Sequence, residues 1–103
     1  LLKEMIRAYL EQTPPLIVEM KSSFETKNWS MLYATVHKMI PSFSIMGMNV
    51  DFENMAKKIQ SYAHLRDEHE DMHDLVQQLE RVCQQACDEL TEELNQLNQS
   101  KNE

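Results

Sequence analysis

A single glycine, Gly47, and three prolines, Pro14, Pro15 and Pro41, are all that punctuate this chain of 103 residues. So few turn formers, with no alternating β-branched runs, exclude a hairpin-rich sheet protein, and the abundant Leu, Met, Glu, Gln and Lys favour helix. One glycine also excludes a Gly-rich phosphate loop. Positive charge is scarce: 10 Lys and Arg against 17 Asp and Glu give a formal net charge of −7, and no basic stripe is present to hold nucleic acid. No apolar run is long enough to span a bilayer, and Leu1-Leu2-Lys3 has no signal-peptide pattern, so no direct membrane insertion is expected. The chain opens without Met, which suggests a piece of a longer protein. The two cysteines, Cys83 and Cys87, lie one helical turn apart, a poor disulfide geometry that points to a reducing, cytoplasmic compartment.

What is present is apolar periodicity. A chain of this length is expected to form one domain with a modest core and no need of disulfides. Leu2, Met5, Ile6, Tyr9 and Leu10 share a face over residues 1–12. Thr13-Pro14-Pro15 then reads as a break, with Thr13 as the cap of a second helix over 14–27 that turns Leu16, Ile17, Met20 and Phe24 inward. Asn28 caps a third helix beginning at Trp29, and Gly47 supplies its stop. Asp51 is the expected cap of a fourth helix over 52–65, and Asp67 with Glu70 resembles a capping box at the head of the last. That last helix carries a stripe from Met72 to Leu97 and extends roughly 45 Å at 1.5 Å per residue. The expected architecture is all-α and monomeric: an antiparallel up-and-down four-helix bundle over 14–99, an additional short N-terminal helix over 1–12, and a frayed tail at 100–103.

Two motifs invite a metal. His69-Glu70-Asp71-Met72-His73 satisfies H-E-x-x-H, which on a helix sets two imidazoles one turn apart for zinc. It falls in an acidic first turn beside a loop, with His64 the one other histidine near it, and a solvated surface accounts for it better. Cys83 and Cys87 could hold a soft metal at the same spacing, but Cys83 falls in the apolar stripe and Cys87 on its edge. No metal site is assigned to this chain.

The third helix carries a more pointed signal. Trp29, Leu32, Val36, Met39, Ile40, Phe43 and Met46 draw its inner stripe, and His37 falls about 120° from the middle of that stripe. Ser30, Ala34, Pro41, Ser44 and Met48 share the histidine's face, all small or uncharged. A lone histidine on a bundle helix is by default an unremarkable surface or core residue. A neutral imidazole on a face free of bulk can also attack an electrophile brought by a partner. Pro41 removes the amide that would bond the carbonyl of His37 and is expected to kink the helix.

Ala34-Thr35-Val36-His37-Lys38-Met39, with Asn28-Trp29 opening the helix and Gly47 ten residues after the histidine, resembles the histidine-containing phosphotransfer domains of two-component phosphorelays. In that family small or apolar residues precede the histidine, a Lys and a Gly commonly follow three and four residues later, and a second Gly closes the motif. The resemblance implies a phosphohistidine carrier, from a hybrid sensor histidine kinase, with no nucleotide site and no kinase activity of its own. His37 would accept a phosphoryl group from a receiver-domain aspartate and pass it to another receiver. No cofactor is implied for this chain, since Mg²⁺ belongs to the receiver. Lys38, Pro41, Ser44, Ile45, Gly47 and Met48 are the supporting or docking candidates. Two positions depart from the family pattern, Ile40 standing where Lys is usual and Pro41 where Gly is usual. Electrostatic support then has to come from the receiver or from Lys38. The alternative is a non-catalytic helical interaction module that uses the same exposed face. A location at the cytoplasmic end of a membrane-bound kinase would suit the carrier.

Overall fold

A computed structural model describes residues 2–101. Four helices follow one another: α1 over Leu2–Glu25, α2 over Trp29–Ile45, α3 over Val50–Leu65 and α4 over Met72–Lys101. Each packs on its neighbours around a ring, α1 against α2 and α4, and α3 against α2 and α4, with the diagonal pairs apart. Neighbours run antiparallel. Along α1 and α4 and the turns beyond their ends, Lys27 pairs with Glu68 at 2.8 Å and Lys21 with Glu80 at 2.9 Å, while Tyr9 lies beside Cys83, so one numbering rises as the other falls. The all-α four-helix bundle expected from the periodicity is the fold.

The separate N-terminal helix is not. α1 passes through Pro14 and Pro15 without interruption. Thr13, the expected cap, is 5% exposed and lies inside the helix, one member of a buried line of Ile6, Tyr9, Thr13, Ile17 and Met20. That line keeps its three- and four-residue steps across the prolines, so burial holds the helix together where two amide donors are missing. Both prolines are exposed, and the bonds lost are those to the carbonyls of Leu10 and Glu11.

The apolar core is drawn from the expected stripes. Leu32, Val36, Met39 and Phe43 from α2, Ala56, Ile59 and Ala63 from α3, and Met72, Val76, Leu79 and Cys83 from α4 meet Ile17 and Met20 of α1. Burying each large apolar side chain stabilises by about 1.5–3 kcal/mol. Among the expected N-terminal face, Leu2 and Met5 stay 51% and 38% exposed, because α2 and α3 are too short to cover them. Past Tyr9 the bundle thins toward two helices, and the molecule measures 54 × 24 × 19 Å. Of the tail expected at 100–103, Ser100 and Lys101 continue α4, and residues 102 and 103 lie outside the described residues.

The helix ends differ in detail from expectation. Asn28 caps α2 as expected, accepting from the Met31 amide at 3.2 Å. Asn49, not Asp51, caps α3: its side chain accepts from the Asp51 amide at 2.8 Å. Before α4 the Asp67–Glu70 box does not close the end. The helix starts at Met72, and the His69 ring takes the Asp71 amide at 3.1 Å. Three helices end alike, with a left-handed residue at Lys27, Gly47 and Arg66. At each the following amide reaches back five residues, Asn28 to Ser23, Met48 to Phe43 and Asp67 to Tyr62, at 2.8–2.9 Å.

Candidate functional site: an imidazole on α2

His37 is exposed on α2, where the groove to α3 opens. The inner stripe dictates this: Val36 and Met39 on either side are fully or almost fully buried, which leaves residue 37 outside. Its Nδ1 lies 3.1 Å from the Gln60 side-chain nitrogen on α3. The Tyr33 ring, one turn earlier on α2, lies parallel to the imidazole with centroids 6.2 Å apart. Tyr33 also meets His64 of α3 at 5.9 Å. The imidazole therefore has a partner at Nδ1 and an aromatic neighbour one turn away.

The Gln60 amide serves either tautomer. With its NH₂ toward the ring it donates to an Nδ1 lone pair, and the proton is on Nε2. Turned over about its last bond, its oxygen accepts from Nδ1–H, and Nε2 carries the lone pair. The second arrangement makes Nε2 a nucleophile.

The other expected residues spread along α2. Lys38, Pro41 and Ser44 are exposed, the last two on the face shared with His37. Pro41 sits within a helix that continues to Ile45, and with no amide of its own it leaves the carbonyl of His37 without its fourth-residue donor. Ile45 ends α2, and its side chain lies outside the described residues. Gly47 takes φ +68° with no heavy atom near an added Cβ, so its requirement is backbone conformation and not space. Met48, a docking candidate, is half-buried. It packs against the core, and the Tyr9 hydroxyl donates toward its sulfur at 3.9 Å, so it closes the helix end. Ile40 is partly buried against the core, so the position three residues after His37 brings no charge.

Gln60 and Tyr33 escaped the sequence reading. Tyr33 had a local signal, standing four residues before His37 on the same helix. Gln60 had none, since only the α2–α3 register makes the two meet.

The two metal-like motifs take other roles. His69 precedes α4, so His69 and His73 are not a turn apart on one helix. His69 stacks on Tyr62 at 4.7 Å, while His73 meets Phe24 at 6.0 Å. Among the described residues no group of three or more His, Cys, Asp or Glu is placed to hold a metal ion. Cys83 and Cys87 are free and both buried, although Cys87 was expected at the edge of the stripe. Burial, with Cys87 adding to it, pushes the Cys83 thiol up to about 12, and burial followed by Asp88 raises that of Cys87. Burial first, then both thiols, raises Tyr9 as well. These are inert, protonated packing groups at neutral pH.

No helix among the described residues is long and apolar enough to cross a membrane. Comparison with family models, with curated proteins and with solved structures gives no match.

Proposed function

We propose that this chain is a phosphorelay intermediate that carries a phosphoryl group on Nε2 of His37. The observation that supports it most is the 3.1 Å contact between Gln60 and Nδ1 of an exposed histidine, which engages one ring nitrogen and not the other. The Nε2 lone pair attacks the phosphorus of a receiver's aspartyl phosphate. An Nε2–P bond forms, the P–O bond to the aspartate breaks, and the carboxylate leaves as an anion. The ring proton stays on Nδ1, where the Gln60 oxygen accepts it. A second receiver reverses the step with its own aspartate. Mg²⁺ and the acids that hold it are the receiver's. The carrier acts as a monomer, on the cytoplasmic side, within or beside a hybrid sensor kinase.

Incubation with a receiver domain phosphorylated on its aspartate tests this. The expected result is acid-labile, base-stable phosphate on the wild-type chain and none on His37→Gln. Equal labelling of both, or none of either, overturns the proposal.

A non-catalytic interaction module is the second reading, favoured by the exposed apolar side chains of Met31 and Tyr33 along the His37 helix. It predicts a partner that binds wild type and His37→Gln alike, with no phosphate passing to either.

A further inference from the structure

A phosphoryl group on His37 would bring up to two negative charges to a chain whose net charge is already −7. Its stability and its exchange depend on which cation meets it. α2 offers little: Ile40 faces the core, and Lys38 leaves the helix about 100° round from His37. The α2–α3 register offers more. His64 stands against Tyr33 and Gln60 against His37, so α3 descends as α2 rises. One turn before Gln60, on the same side of α3, comes Lys57, and one turn before that Glu53. Lys57 is exposed, and its ammonium lies 3.7 Å from the Glu53 carboxylate. Lys58 falls on the far side of α3 from His37, and Arg66 lies beyond the helix end, beside Trp29 and Ser30.

We propose that Lys57 is the phosphoryl-binding cation of this site and that Glu53 holds it in reserve until His37 is phosphorylated, an inference that rests on His37 being the phosphoacceptor. A loose, exposed ion pair contributes little, whereas a phosphoryl group presents three acceptor oxygens and up to twice the charge. Lys57 therefore changes partner when the group arrives, and Glu53 is left to water. The change of partner at Lys57 is non-covalent, and no covalent bond changes except at Nε2. The charge that families of this kind place after the histidine on α2 is supplied here across the groove from α3, and it is gated by a carboxylate.

Potassium phosphoramidate serves as the probe, because it needs no partner: its P–N bond breaks as Nε2–P forms, and the nitrogen leaves as ammonia. The ³¹P resonance missing from His37→Gln identifies the His37 adduct, and its pH titration gives the second ionisation of the phosphoryl group. The charged and titratable groups on the elements around it are Tyr33 and Lys38 on α2 and Glu53, Lys57 and His64 on α3. A nearby cation favours the dianion, so ionisation is expected at lower pH in wild type than in Lys57→Gln, by about half a unit. Glu53→Gln frees the lysine and lowers it further. Most of that second shift disappears in the Glu53→Gln, Lys57→Gln double variant. Lys57→Arg keeps the wild-type value, and Lys58→Gln changes nothing. A labelled His37 whose ionisation is the same in wild type and Lys57→Gln overturns the proposal and leaves the phosphoacceptor standing. A Glu53→Gln shift of equal size in both backgrounds also overturns it, since Glu53 would then act by direct repulsion. No His37 adduct in wild type removes the phosphoacceptor and the cation together.

Discussion

Thr35 is fully buried on α2, two residues before His37, and among the described residues its hydroxyl has no hydrogen-bond partner. The position continues the buried steps from Leu32 to Met39, yet it carries a polar group that an apolar one of the same shape would replace without loss. Thr35→Val is expected to stabilise the fold by about 1 kcal/mol, raising Tm by about 4–8 °C in a domain of this size. A urea titration measures it, and a lowered midpoint would show that the hydroxyl is satisfied in solution. Thr35 was legible as part of a motif and not as core, because its type argued against burial while its phase argued for it. Gln60 lies at the other limit. No local pattern marks it, and a contact between side chains 23 residues apart exists only once two helices have found their register.

Among the elements, α2, α3 and α4 were legible because each carries one apolar stripe of unbroken phase bounded by polar turns. α1 misled because the prolines were weighed above the stripe. A proline pair at the head of a helix and a proline pair on the outside of a longer one look alike over five residues. They differ over twenty, where Ile6, Tyr9, Thr13, Ile17 and Met20 stay in phase. The caps were harder. Asn49 and Asp51 are both good N-caps two residues apart, and the side chain that reaches an open amide decides between them. Because the two prolines are tolerated and not required, replacing both with Ala is expected to return the donors to Leu10 and Glu11. The fold should gain about 1–3 kcal/mol, the lower end if the stiffer unfolded chain of wild type offsets part of it. Urea melts and far-ultraviolet circular dichroism together check this; unchanged stability would mean that those carbonyls already have partners.

At the scale of the whole molecule, the buried groups without charge set a limit on the alkaline side. Cys83 titrates near 9 when exposed and at about 12 in the fold, and Cys87 and Tyr9 are shifted in the same direction. Between the unfolded and folded values the unfolded chain binds fewer protons, so stability falls as pH rises. The contribution is whole below about pH 9 and drains away toward pH 12. Denaturant midpoints across that window should drop steeply for wild type and less for Cys83→Val; parallel slopes would count against burial as the cause. The shape of the molecule has a separate consequence. A chain of about 100 residues packed into a ball has a radius of gyration near 13 Å, and this one has 14.9 Å with one axis more than twice either of the others. N–H bonds in a helix lie along its axis, and in a four-helix bundle those axes share one direction. Such a rod tumbles more slowly end over end than about its length, so helix amides and turn amides sample different rotations even if all are equally rigid. In nuclear spin relaxation the turns at 26–28, 46–49 and 66–71 would then stand apart from the helices through orientation alone, and a treatment that assumes a sphere would report that difference as motion.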